Sequence, residues 1–158
     1  MMTRTASAHP SATPIERIEA LIDGLSCFPL AILQLLLRFS IASVFWHSGM
    51  TKVASWDTTI ALFRDEYMVP ILPPEIAASL AAAAELTCPV LLVAGLATRL
   101  ATLPMLGMTL VIEVFVYPEQ WIEHLMWASI LVFILTRGPG ALSLDHLIAR
   151  RFLRGGNR

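Results

Sequence analysis

Four stretches of the chain are apolar for the length of a membrane helix, with polar breaks between them. They run from about Leu30 to Ala54, Glu75 to Ala97, Leu100 to Tyr117 and Trp121 to Thr136. A hydrocarbon core about 30 Å thick takes about 20 helical residues, so each stretch predicts a transmembrane helix. The last two are short and fit with little tilt and with interfacial anchors such as Tyr117, Trp121 and Arg137. On either side of this block the pattern becomes amphipathic. Thr13-Pro14-Ile15-Glu16 has the spacing of a capping box with Pro at the first helical position, and Ile15, Ile18, Leu21, Ile22 and Leu25 continue as a helical stripe. Ser143 to Arg154 repeats the arrangement, with Leu144, Leu147, Ile148 and Phe152 on one side and Arg150, Arg151 and Arg154 available to lipid phosphates. The pattern predicts an all-α, four-transmembrane-helix bundle with interfacial amphipathic helices at both ends. Residues 1–29 form a tail and interfacial helix, 30–137 the membrane domain, and 138–158 a basic amphipathic tail.

Composition supports lipid as the main solvent. The 158 residues are 56% hydrophobic and 15% charged, against about 45–50% and about 25% in soluble domains; the mean hydropathy is +0.70. Met1 to Thr13 is polar and holds no apolar run before a cleavage site, so no signal peptide is expected. The net charge of −1 is uninformative, but the placement of cations is not. Arg4, Arg17, Arg99, Arg137, Arg150, Arg151, Arg154 and Arg158 fall on the side of the termini, and only Lys52 and Arg64 on the other. That asymmetry predicts both termini in the cytoplasm. No broad basic surface points to nucleic acid. Cys27 and Cys88 form no metal or redox spacing and read as small apolar fillers. Met105, Met108 and Met126 read as packing, and no metal site is expected.

The ionisable residues inside the spans carry the functional information, because a charge in lipid must face protein or trapped water. At 1.5 Å of rise per residue, Arg38 lies about 6 Å toward the cytoplasm, Glu85 near the midplane, and Glu113 and His124 each roughly 7 Å toward the outside. Arg38 is therefore expected to pair with Glu85, either as a structural ion pair or as the electrostatic wall of a pocket. Glu113 and His124 are expected to pair as a proton relay, the alternative for Glu113 being a protonated acid bonded to Thr109 or to a backbone carbonyl. Arg38, Phe45, Gly49 and Lys52 share one helical face directed to the bundle interior, whereas His47 falls with Ser40, Ser43 and Thr51 on another, suited to a further helix or subunit. Trp121 and Trp127 flank His124 at helical spacing and can stack a planar ring, or anchor the interface. The Ala-rich half of the second span predicts close helix packing, and Pro89 frees the carbonyl of Glu85. Ser55 to Pro74, with Trp56, Phe63, Tyr67 and Val69-Pro70-Ile71-Leu72-Pro73-Pro74, is too long for a turn and is expected to cover the external mouth as a lid or to dock a partner.

The order of Arg38, then Gly49-x-x-Lys52, then Glu85 in an Ala-rich span leading to Gly95-Leu96-Ala97-Thr98-Arg99, resembles the DoxX family of small membrane proteins. The resemblance covers about Leu30 to Arg137. It extends to a branch with Phe45-Trp46-His47-Ser48-Gly49, Glu66-Tyr67, Pro70, Tyr117-Pro118 and Gly138-Pro139-Gly140. It implies a four-helix bundle of the bacterial inner membrane. Some relatives are subunits of quinone-linked oxidoreductases such as thiosulfate:quinone oxidoreductase; others are linked to oxidative or metal stress, and this branch to gene clusters for copper-handling modified peptides. The resemblance carries over Arg38, Lys52 and Glu85, while Glu113 and His124 rest on depth. The chain has no flavin, nicotinamide, haem or iron–sulfur pattern. The reading that follows is a quinone-interacting subunit that takes electrons from a partner. Glu113 and His124 are its acid–base pair, and Arg38, Lys52, Glu85 and Trp127 shape the pocket. A scaffold or export accessory, a small-solute or metal transporter, and a homo-oligomer are the other readings.

Overall fold

The computed structural model describes residues 13–68, 70 and 72–153. Arg4, Arg154 and Arg158 of the cation count, and Val69 and Ile71 of the proline-rich segment, lie outside the described residues. The described chain is helical. Helix α1 spans Pro14–Ser26, α2 Leu30–Ala54, α3 Trp56–Leu62, α4 Pro74–Ala94, α5 Thr98–Val111, α6 Trp121–Arg137 and α7 Leu144–Leu153. Helices α3 and α5 each run on into a π-helical turn, Phe63–Tyr67 and Ile112–Val116.

Local chemistry fixes most boundaries. In α1 the capping box forms, with the Thr13 N–H donating to Glu16 Oε2 at 2.7 Å and the Glu16 N–H to Thr13 Oγ1 at 3.3 Å. Pro74 opens α4. That helix ends in a Schellman turn: Gly95 takes φ +68, its N–H donates to Leu92 O and the Leu96 N–H to Leu91 O. The first span coincides with the expected Leu30–Ala54. The second ends three residues early because Gly95 turns the chain, and the third begins at Thr98, two residues early.

Helices α2, α4, α5 and α6 pack around one core that includes Ile41, Phe45, Leu92, Met105, Leu131 and Ile134. A smaller cluster puts Phe63 over Ala77 and Ala78, so the connection between α2 and α4 lies on the bundle. Helix α2 meets α4 closely at Gly49, where a Cβ would come within 2.9 Å of Leu86 Cδ2 and 3.0 Å of Glu85 Cβ. Large apolar side chains cover the outside, among them Leu36, Phe39, Trp46, Leu80, Leu103 and Leu125. That outer coat is a surface for lipid rather than for water. Leu30–Ala54, Pro74–Ala94 and Thr98–Val116 are long and apolar enough to cross a membrane; α6 has 17 residues. In α1 no residue is buried, so its apolar stripe is fully presented outward, and Cys27, expected as a packed filler, is exposed.

Candidate functional site

The bundle has two polar centres, one toward each end. The connection end carries α3 and the 63–67 turn, and the terminal end carries α7.

At the terminal end Arg38 is fully buried. Its Nη1 donates to Leu92 O at 3.1 Å and its Nη2 to Leu142 O, tying α2 to the end of α4 and to the segment before α7. Asp145 faces it and caps α5 from a distance in sequence. The Ala97 N–H donates to Asp145 Oδ1 at 2.8 Å and the Thr98 N–H to Oδ2 at 3.0 Å, satisfying donors that the local sequence leaves open. The expected pairing of Arg38 with Glu85 is therefore corrected. The guanidinium is taken up by carbonyls where α4 terminates, and Glu85 pairs with another cation.

That cation is Lys52. Its Nζ lies 2.8 Å from Glu85 Oε1, and Ser48 Oγ donates to the same oxygen at 3.2 Å. Lys52 also donates to Ser48 at 2.9 Å, which closes a triangle. Ser48 was missed by the reading of phase alone, although it lies one turn before Lys52, the spacing at which helical side chains meet. The second Glu85 oxygen, Oε2, is buried and finds no partner among the described residues.

Further round the connection end, His124 Nδ1 lies 2.6 Å from Glu113 Oε2. Glu113 sits in the π turn 112–116, whose Tyr117 N–H reaches back to Ile112 O at 2.8 Å; such turns widen a helix locally and recur at functional sites. Thr109, the alternative partner for Glu113, donates instead to Met105 O. Trp127 meets the His124 ring edge-on at 5.1 Å and also packs on Phe45, whereas Trp121 is exposed, as an interfacial anchor would be. His47 is exposed on the outer face of α2, apart from both centres.

The Lys52–Glu85 pair and His124 of the other pair meet at one cavity. It has a volume of about 630 Å³ and lies between α4 and α5, with Lys52 and Glu85 on one wall and His124 and Trp127 on another. Ala81, Ala84 and Gly107 leave the space, and nothing described stands within 4 Å of where a Cβ on Gly107 would be. Tyr67 and Tyr117 border it at the connection end, their rings 6.0 Å apart, and the Tyr117 hydroxyl donates to Glu66 Oε1 at 3.0 Å. The expected cover over the mouth is thus an aromatic pair held by one hydrogen bond. Mostly apolar walls with a few convergent polar groups are the usual make-up of a small-molecule site.

The sequence profile of the DoxX family matches residues 33–118, from α2 to the turn after α5. This chain belongs to the DoxX family. A relative in Haemophilus influenzae (strain ATCC 51907 / DSM 11121 / KW20 / Rd), described as an uncharacterized protein, is 30% identical over 131 residues, covering 73% of this chain and 83% of its own length. No solved structure matches the chain. The DoxX match takes in Arg38, Lys52, Glu85 and Glu113, while His124 and Trp127 follow it on α6. In this DoxX protein the acid of the His124 pair thus comes from the matched segment and the imidazole from the helix beyond it.

The terminal-end centre of the DoxX chain yields a pH prediction. Burial acts to raise the Asp145 pKa, but hydrogen bonds from the Thr98 and Ala97 backbone and the charge of Arg38 outweigh it and hold the carboxyl below its ordinary value. A carboxylate with a depressed folded pKa stabilises the fold above the unfolded value, about 3.9 for Asp, and that contribution is lost as pH falls through the folded value. Hydrogen exchange at the Ala97 and Thr98 amides is expected to be flat from pH 7 to 5, after correction for intrinsic rates, and to rise below about pH 4. Asp145→Ala is expected to show the fast exchange already at pH 7; slow exchange there would contradict the capping role.

Proposed function

We propose that this chain crosses the bacterial inner membrane four times, with both termini in the cytoplasm, and binds a quinone as the accessory subunit of a membrane redox complex. The 17 residues of α6 give a helix of about 26 Å, close to the hydrocarbon thickness once Trp121 and Arg137 anchor its ends. Eight cations on the side of the termini against two on the other support the orientation. Helices α1 and α7 then lie on the cytoplasmic face, α7 through Arg150 and Arg151.

The observation that carries the redox reading is the convergence of Lys52, Glu85 and His124, the last held from behind by Glu113, on one apolar cavity whose rim includes the outward-facing Leu80. A quinone head is flat, apolar on its faces and polar at two opposite oxygens. The Lys52–Glu85 pair stands at one quinone oxygen, and the second ring nitrogen of His124 serves the other while Nδ1 is held by Glu113. Bound quinone supplies two-electron, two-proton chemistry, with the electrons coming from a partner subunit. The chain contributes the rest: His124 carries a proton, Glu113 stabilises the imidazolium, Lys52 offsets charge on Glu85, and Trp127 packs on the ring.

Purified protein is expected to retain quinone detectable by mass spectrometry. His124→Ala and Glu113→Gln are each expected to weaken binding of a short-chain quinone at least about tenfold, the loss of one charge-assisted hydrogen bond. Unchanged binding in both variants would overturn the reading and leave the scaffold or export-accessory role.

A further inference from the structure

We infer that this site exchanges protons only with the connection end of the bundle, through His124 and Glu113, and is closed to protons from the terminal end. The inference deepens the quinone reading and rests on it for the ligand, but the proton route is a property of the chain itself.

The titratable and charged groups around His124 are Lys52 on α2, Glu85 on α4, Tyr67 in the 63–67 turn, Glu113 and Tyr117 at the end of α5, and Glu123 on its own helix. Those that reach the surface do so at the connection end. The His124 side chain is 4% exposed, but its partner Glu113 is 32% exposed, three residues before the third span ends at Val116. Glu113 thus has one carboxylate oxygen on a buried imidazole and an accessible edge near the interface. Lys52 is 17% exposed at the same end, and Glu123 is exposed on the cavity rim.

Toward the terminal end the picture reverses. Leu92, Met105, Leu131 and Ile134 are fully buried in a packed layer that holds no carboxylate or imidazole; the polar groups beside it are the Cys88 thiol and the Thr102 hydroxyl, which donates to Arg99 O. Beyond it stands Arg38, fully buried and fixed by carbonyls, a permanent cation that repels a hydrated proton. A proton leaving His124 therefore has Glu113 as its outlet. For each quinone reduced at the site, two electrons come from a redox centre of the partner subunit and two protons enter from the connection end.

The test uses the full-length protein with ¹⁵N-labelled histidine in proteoliposomes of uniform orientation, with pH clamped independently on each side. The His124 ring signal is assigned by its loss in His124→Phe. It is expected to titrate with pH on the connection side and to ignore pH on the terminal side, and Glu113→Gln is expected to slow its response to a pH jump at least tenfold. Glu113→Asp, which keeps a proton carrier at the same place, is expected to restore most of the rate and guards against a folding defect in the glutamine variant. Titration from the terminal side, equal response to both sides, no titration between pH 4 and 10, or an unaltered rate in Glu113→Gln would each overturn the inference. Adding decylubiquinone separates the two claims: a signal that titrates from the connection side but does not shift with the quinone sinks the quinone reading and leaves the proton route standing.

Discussion

Lys52→Met is expected to destabilise the bundle by about 3 kcal/mol, and Lys52→Met combined with Glu85→Leu by much less. In the single variant the Glu85 carboxylate, only 2% exposed, keeps Ser48 as its one remaining hydrogen-bond donor among the described residues and loses its counter-charge. A buried charge stripped of its partner costs about 3–5 kcal/mol, and the partial exposure of Lys52 places this site at the lower end. Replacing both members by apolar residues of similar size removes the stranded charge and returns most of the loss. The double variant compared with the sum of the Lys52→Met and Glu85→Leu single variants, read by reversible unfolding in mixed micelles, gives the coupling energy of the pair. If the double variant were as unstable as the sum of the two singles, Lys52 and Glu85 would act independently and the ion pair would not be what holds α2 at this register. The double variant also separates folding from binding: it is expected to fold while losing quinone affinity, since both groups line the cavity.

The success and failure of the sequence reading follow from how tightly the chain fixes one residue's level against another's. Glu113 and His124 each lie four residues from a short connection, Tyr117 to Gln120, so small boundary errors barely alter their relative depth, and they meet. Arg38 and Glu85 sit on helices joined by a connection of some twenty residues, which leaves the register of α2 against α4 free. That register is set by the Lys52–Glu85 pair together with the close approach of α4 at Gly49, which lies level with Glu85. Arg38, eleven residues earlier, is then about 16 Å away along the axis, beyond the reach of a guanidinium. The shared face of Arg38, Phe45, Gly49 and Lys52 was legible from the 100° phase, and the first three are buried. The cap that Asp145 places on α5 left no local signal, because donor and acceptor are 47 and 48 residues apart. The cavity was legible only in part. An alanine run announces close packing, but Ala78 is covered by Phe63 whereas Ala81 and Ala84 border open space.

Gly95→Ala is expected to release α7 from the bundle, with an effect as large as Arg38→Met and without loss of quinone binding. Gly95 holds φ +68, where an L side chain is strained by about 1–2 kcal/mol. The larger obstacle is space: a Cβ there would stand 2.2 Å from Arg38 Nη1 and 2.5 Å from Ser143 Cβ, so the guanidinium or the segment before α7 must move. Either movement breaks the donations to Leu92 O and Leu142 O that join three parts of the chain. Arg38→Met reaches the same end by removing the donor and leaving a buried carbonyl unpaired, a loss of about 3 kcal/mol for a hydrogen-bonded buried cation. Trypsin cleavage after Arg150 and Arg151 in inside-out vesicles is expected to accelerate at least tenfold in both variants. Because Arg38 stands about 16 Å from the level of Glu85, the cavity and its His124–Glu113 pair are expected to remain intact. A loss of quinone binding in Arg38→Met matching that of His124→Ala would place Arg38 within the site, and with it the dry layer between the two centres would no longer be a barrier.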